Sequence, residues 1–296
     1  MKIITEEQIT GLGISPRQCV EWVEASFRSK PSADMPAKIS VHPVEDSFYT
    51  AMPCYHPELG RVAVKVVSRV PGRVPSLKSE IMLYDAPTGK LLALIDGNWI
   101  TAMRTGAVAA LAAKTFANDF DNSSFGLVGL GVIGRATLKC LLAIIDPAQK
   151  ICLLDYKDHV KKIQCEFPDV VFEHTNDRMD LVNRTNVLFS CVTVMHYQFL
   201  PPDAYPSGYL CVPVHVRGFQ NCDTVFDRVF GDDTSQLKGF KNFTRFRKFA
   251  EMSDVLLGRA EGRKRGNERI LVYNYGIALH DLWFASRIYD LCYMNV

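Results

Sequence analysis

The chain has 296 residues, 48% of them hydrophobic and 22% charged, with a formal net charge of +2. That length suits two packed domains or one large α/β unit, and the composition is that of an ordinary soluble globular protein. Lys and Arg are spread along the sequence, which argues against a nucleic-acid footprint, and no apolar run reaches the length needed to cross a bilayer.

Residues 6 to 29 carry a helical pattern around Val20, Trp22, Val23 and Phe27, closed by the polar, proline-bearing stretch from Ser29 to Pro36. The amino terminus, Met1-Lys-Ile-Ile-Thr-Glu-Glu-Gln, lacks the apolar core of a secretion signal, so the cytoplasm is the expected address. From Lys38 to Leu94 short extended runs alternate with turns at Pro71-Gly72 and Pro87-Thr-Gly89, which predicts a largely antiparallel sheet. An alanine-rich helix follows from Asp96, and its small residues permit close packing. From Phe125 strands alternate with helices, the signature of a parallel sheet. The candidate strands are Phe125–Gly129, Ile151–Asp155, Val170–Glu173, Val187–Cys191 and Tyr209–Val214, with further extended chain near Val229. After Glu268 come one more strand, a turn near Gly276 and a long amphipathic helix beyond the parallel set.

Nine cysteines are an odd number at irregular spacing, with no C-x-x-C pair, and are read as reduced and mostly buried. The seven histidines are scattered, and no metal site is expected.

The stretch Phe125-Gly-Leu-Val-Gly-Leu-Gly-Val-Ile-Gly sets Gly129, Gly131 and Gly134 at G-x-G-x-x-G spacing between a predicted strand and a predicted helix. Such glycines let the backbone approach a pyrophosphate, whose charge is received by the free N–H groups of the helix start, around Val132 and Ile133. Asp155 ends the next strand about 20 residues on, where an acid accepts hydrogen bonds from a ribose 2′-hydroxyl and repels a 2′-phosphate. NAD is therefore expected, with Lys157 leaving NADP open and no separate support for FAD. The competing reading is a tight turn that binds nothing.

Two cations are candidates for an anion site. Arg104 falls in the opening turns of the alanine-rich helix, where the macrodipole disfavours a cation by roughly 0.3 to 1 kcal/mol. Either a planar carboxylate offsets that, or Arg104 is a surface residue paired with Asp96. In Arg61-Val-Ala-Val-Lys-Val-Val the period of two puts Lys65 on the same face as Ala63 and Val67. It either points into a cavity or snorkels from an edge strand.

At these residues the chain resembles the ornithine cyclodeaminase and mu-crystallin family. The resemblance is carried by Asp96-Gly97 through Thr101-Ala-Met-Arg-Thr-Gly-Ala and by the glycine loop some twenty residues later, and it runs over nearly the full length. It implies an α/β protein: a Rossmann doubly wound parallel sheet over residues 118–267, and a second α+β domain, with a largely antiparallel sheet, from residues 1–117 and 268–296. The second domain is implied to bind substrate and to form a homodimer. Position by position, the resemblance implies that Arg104 and Lys65 hold a substrate carboxylate, that Lys65 lies near the reacting carbon, and that Lys38 stands where many members have another carboxylate-binding arginine. Thr105 and Ser190 are implied to contact the cofactor, with Thr193 in the same loop as Ser190.

One departure bears on the reaction. Cyclodeaminases carry an aspartate after the strand that here reads Tyr209-Leu-Cys-Val-Pro-Val, where this chain has Val214-His-Val-Arg-Gly-Phe, with Arg217 at the aspartate position. An arginine accepts no proton and repels the ammonium of ornithine. His215 is then a candidate acid or base and Arg217 a candidate for a second carboxylate, against a solvent-facing loop for both. Asp232 and Asp233 read as cap or loop residues, and His280 and Asp281 as packing and surface positions. The expected function is an NAD-dependent oxidoreductase transferring hydride at the α-carbon of an amino acid or its imine, of the amino-acid dehydrogenase, ketimine reductase or N-carboxyalkyl amino acid synthase type, with amino acid, keto acid or imine as small-molecule partner. The alternatives are an ornithine or lysine cyclodeaminase and a non-catalytic NAD(P)-binding, crystallin-like protein.

Overall fold

The computed structural model describes residues 1–192, 198–214, 219 and 222–293. They form two compact units, Met1–Arg104 with Gly276–Val296, and Thr105–Tyr275.

The first unit opens with β1 (Lys2–Ile4), α1 (Glu6–Gly11) and α2 (Pro16–Ser29). The single helix expected over residues 6–29 is thus two. Gly13 takes φ of +66°, a left-handed conformation that ends α1, and Ser15 then starts α2 with a capping box to Gln18 and Pro16 in its first turn. Strands β2 (Ile39–Val41), β3 (Phe48–His56), β4 (Arg61–Arg69), β5 (Leu77–Asp85) and β6 (Leu91–Asp96) follow. The sheet order is β1-β6-β5-β4-β3-β2, antiparallel except where β1 joins β6. Helix α3 (Asn98–Phe116) starts in this unit and runs on into the second.

The second unit continues with β7 (Phe125–Val128), α4 (Val132–Leu142), β8 (Ile151–Leu154), α5 (His159–Glu166), β9 (Glu173–Thr175), α6 (Arg178–Arg184), β10 (Val187–Ser190), β11 (Leu210–Pro213), β12 (Arg228–Gly231), α7 (Thr234–Leu237), β13 (Phe249–Glu251), α8 (Met252–Leu256) and β14 (Ile270–Tyr273). All eight strands are parallel, in the order β13-β12-β14-β11-β10-β7-β8-β9. The strands β7, β10, β11, β12 and β14 are fully buried, as continuous apolar runs in a parallel sheet should be. The extended run expected at Val170–Glu173 starts later, because the Val170 N–H closes a turn onto the Phe167 carbonyl at 3.2 Å. Within this unit the small face of α3 packs closely on α4: a Cβ on Gly106 would lie 2.4 Å from the Ala136 carbonyl carbon.

The last helix, α9 (Ala278–Tyr293), belongs to the first unit. It lies on β3, β4 and β5, and α2 packs against it. One face of the sheet, with Met52, Cys54, Ala63, Ile81, Leu83, Ala93 and Ile95, is therefore buried. All nine cysteines are free thiols, seven of them buried. No helix of the described residues is long and apolar enough to cross a membrane.

Candidate active site

Lys65 sits at the middle of β4, opposite Met52 on β3 and Ile81 on β5. The strand's period of two sends its side chain to the face that α9 covers, and only 1% of the residue is exposed. On α9, Asp281 is equally buried, and its Oδ2 lies 2.7 Å from the Lys65 Nζ. Among the described residues the ammonium has no hydrogen-bond acceptor beyond this ion pair. Burial first, and the Arg104 charge second, push the Lys65 amine down to about 8 against the pull of Asp281.

Arg104 completes the cluster. Its Nε donates to Asp281 Oδ1 at 3.2 Å, and the residue is 7% exposed. Its ion partner is thus Asp281 rather than Asp96, whose Oδ1 accepts the Asn98 N–H at the start of α3. Burial raises the Asp281 carboxyl, but the Arg104 and Lys65 charges outweigh it and hold the group below the ordinary carboxylate value. The guanidinium stands close to Gly276, where φ is +85° and a Cβ would lie 2.7 Å from Nη1. Only glycine meets both conditions, so the turn before α9 is shaped around the arginine. The cluster has one surplus positive charge in a dry setting, which a single carboxylate would neutralise.

In the second unit the glycine loop behaves as its spacing predicts. Gly129 turns the chain at φ of +87°, and a Cβ there would lie 2.6 Å from the Cys191 carbonyl carbon. A Cβ on Gly134 would come within 2.0 Å of the Gly129 carbonyl oxygen, so α4 packs on the loop with no room for a side chain. Gly131 differs: a Cβ there would meet nothing within 4 Å. It is the residue before α4, with no side-chain cap on the helix start. Gly131 and Val132 are exposed at this uncapped helix start, which leaves room for an anion beside its first-turn amides. Asp155 follows β8 directly, half-buried, its Oδ1 accepting the Val160 N–H at 3.3 Å. The loop residues fit a dinucleotide.

Of the other predicted positions, Ser190 ends β10 fully buried and Thr105 is 8% exposed in α3, both in the second unit. Lys38 is half-buried just ahead of β2, two strands from β4. Thr193, His215 and Arg217 lie outside the described residues. Asp233 caps α7 by accepting the Ser235 N–H, while Asp232 is buried at the end of β12. His280 is buried, its Nδ1 2.7 Å from Ser26 Oγ, and burial foremost pushes it down to about 3, a neutral packing residue.

Sequence reasoning passed over Asp281 as a surface or packing position. The available signal was its place in the first turn of the helix, amid Ala278, Leu279, Leu282, Trp283, Phe284 and Ala285, all of them apolar and buried. A carboxylate in such a helix needs cationic partners.

A Rossmann-type parallel sheet with its glycine loop, and a mixed sheet that buries two cations around one carboxylate, define the class of this protein. The chain belongs to the ornithine cyclodeaminase/mu-crystallin family, whose model matches residues 2–196. It is 24% identical over 271 residues to the nodulation efficiency protein NfeD of Rhizobium meliloti, an alignment spanning 86% of this chain and 83% of that one. It is 26% identical to N-((2S)-2-amino-2-carboxyethyl)-L-glutamate dehydrogenase of Staphylococcus aureus, over 71% of this chain and 67% of the relative. Among solved structures, Delta(1)-pyrroline-2-carboxylate reductase of Thermococcus litoralis, in complex with NADH and L-proline, superposes with a TM-score of 0.86. That match is 22% identical in sequence and covers 100% of this chain and 98% of the other.

Proposed function

We propose that this protein is an NAD-dependent oxidoreductase that transfers hydride at the α-carbon of an amino acid or of the corresponding imine. The observation that carries the reading is the convergence of Lys65 and Arg104 on one buried carboxylate, at 2.7 and 3.2 Å. Two cations that share one carboxylate oxygen pair are spaced to share another, and mere nucleotide binding needs neither of them. A nicotinamide dinucleotide held at the glycine loop of residues 129–134 and at Asp155 would supply the hydride exchange. Lys65 and Arg104 hold the substrate carboxylate, which fixes the adjacent α-carbon, and Gly276 keeps the guanidinium in place. With an amine near 8, Lys65 is also suited to hand a proton to, or take one from, the substrate nitrogen.

Support for the substrate class comes from relatives: the Staphylococcus aureus protein is named for oxidation of an N-carboxyalkyl amino acid, and the Thermococcus litoralis structure holds NADH and L-proline. Asp155 supports NAD over NADP. Lys38, and Arg217 if a dicarboxylic substrate is used, are the proposed further contacts to acidic groups, and Thr105 the further contact to cofactor; Ser190, expected to be another, has no exposed surface to offer one. The unit Met1–Arg104 with Gly276–Val296 is the proposed substrate and dimerisation part and Thr105–Tyr275 the cofactor part; the boundaries expected at 117/118 and 267/268 shift because the later turns of α3 and the strand β14 belong with the parallel sheet.

A homodimer is proposed from the second face of the first unit's sheet. There Ala51, Pro53, Val62, Val64, Val66, Met82 and Tyr84 are only half-buried, and Tyr49 and Tyr55 are exposed. An apolar sheet face of this extent is suited to a second copy.

The test is NADH consumption measured by fluorescence against paired keto acids and amines and against cyclic imines, with NADPH in parallel. Turnover with an α-keto or α-imino acid supports the reading. Binding of NADH with turnover of none of them would sink it, and ornithine turnover with catalytic NAD and no net NADH would replace it by cyclodeamination.

A further inference from the structure

We propose that Asp281 is a positioning residue of this site: its two carboxylate oxygens, one against the Lys65 ammonium and one against the Arg104 guanidinium, fix the spacing and the net charge of the two cations that receive a substrate carboxylate. The inference rests on the reading of Lys65 and Arg104 as the carboxylate clamp and adds to it the element that sets the clamp.

Three features carry it. First, the cations arrive from different elements, Lys65 from β4 and Arg104 from α3, and Asp281 on α9 is the group that touches both. Lysine has four rotatable side-chain bonds and arginine a comparable number, so without a shared anchor each would sample several rotamers. Second, Asp281 is held more firmly than either partner. It lies in the first turn of α9, where the helix dipole favours a carboxylate, and its neighbours along the helix are core residues. Third, the charge count suits one ligand. Two buried cations alone would repel each other and discharge the lysine; with Asp281 the cluster keeps one positive charge, enough for a monocarboxylate.

The titratable groups around Lys65 are few. Arg104 faces it from α3, and Asp281 and His280 from α9, the last pushed down to about 3 chiefly by burial and hence neutral. Cys54 on β3 lies within the field of Asp281 and, less strongly, of Asp34, and its thiol is pushed up to about 12, mainly by burial. Lys30 acts on His280. Asp281 is the only negative charge that bears on the lysine among these described groups, so its removal must make Lys65 lose its proton at lower pH.

The experiment compares the wild type with Asp281→Asn, which keeps shape and one acceptor but removes the charge. The readouts are the pH profile of kcat/KM for a turned-over keto or imino acid, NADH affinity by fluorescence titration, and thermal unfolding. The expected result is unchanged NADH affinity, KM raised at least about tenfold, and a basic limb displaced to lower pH by about one unit or more. A folded, NADH-binding Asp281→Asn enzyme with the wild-type KM and basic limb overturns the proposal. Should that variant not fold, Asp281→Glu decides, since it keeps the charge but carries it one methylene further. A KM raised about fivefold or more, with the basic limb in place, upholds the positioning role, and an unaltered KM overturns it. The clamp reading fails separately, on Lys65→Met and Arg104→Met variants that retain wild-type kcat/KM.

Discussion

The Nζ of Lys65 and the Oδ2 of Asp281 meet at 2.7 Å with each side chain 1% exposed, an ion pair taken almost wholly out of water. Breaking such a pair from one side leaves the other charge uncompensated, at roughly 3 to 5 kcal/mol. Lys65→Met leaves Asp281 with Arg104, so the expected loss of stability is at the low end, about 3 kcal/mol. The same variant is expected to lose kcat/KM by about 100-fold or more while NADH binding is kept. Thermal unfolding beside a kinetic assay checks both; wild-type kinetics would remove Lys65 from the chemistry.

The pH response of the same residue separates activity from stability. The Lys65 amine is lowered from its ordinary value of 10.5 to about 8 in the folded chain. Between those two values the unfolded chain holds a proton that the folded chain has shed, so this group's contribution to folding stability rises with pH across that window. Its affinity for a carboxylate falls over the same range. KM for the keto or imino acid is therefore expected to climb above pH 8, by about tenfold per unit, without a matching fall in melting temperature. A loss of activity that tracks unfolding instead would assign the limb to another cause.

Gly276 ties the backbone to the arginine. Gly276→Ala forces a side chain into φ of +85° and within 2.7 Å of the Arg104 Nη1. Strain of about 1 to 2 kcal/mol is expected, together with a KM increase because the guanidinium must move. NADH affinity should stay at the wild-type value. An unaltered KM in the folded variant would mean that the arginine position is unimportant for substrate.

Much of this arrangement was legible in the sequence, and the boundary of legibility has a physical meaning. The glycine loop was readable because backbone conformation and close approach leave a signature in residue type: Gly129 and Gly134 permit no Cβ, and Gly131 stands at an open helix start. The meander was readable from turns at Gly72 and Gly89, both of which adopt positive φ. Period alone puts Lys65 on the face of Ala63 and favours a snorkelling lysine; which face α9 covers is a tertiary fact, and that cover is what buries the ammonium against Asp281. Asp281 was missed because its two partners lie 216 and 177 positions away along the chain, and no local rule joins them. The break between α1 and α2 is marked by Gly13, Ser15 and Pro16, but the apolar pattern of residues 6–29 runs across it and masks those capping signals.

The three glycines of the loop should respond differently to one added methyl group. Gly134→Ala drives a Cβ to 2.0 Å from the Gly129 carbonyl oxygen, so the loop or α4 must shift and a loss of about 1 to 3 kcal/mol is expected. Gly131→Ala meets nothing within 4 Å, so its melting temperature should stay within about 2 °C of the wild type, with NADH affinity reduced about tenfold because the methyl group fills the approach to the helix start. A Gly131→Ala protein with undiminished NADH affinity would show that the dinucleotide is held elsewhere.

Val64, on the half-buried outer face of β4, tests the assembly. Adding a charge there places an unpaired carboxylate in the apolar face of the proposed dimer, at a penalty of several kcal/mol when two copies meet. In a single copy the same side chain is half-exposed and can keep its water. Val64→Glu is therefore expected to give a folded monomer where the wild type gives a dimer, read as a halving of mass in light scattering coupled to gel filtration. Loss of the dimer with NADH affinity intact supports this face as the interface. A Val64→Glu protein that remains dimeric at micromolar concentration moves the interface to another surface.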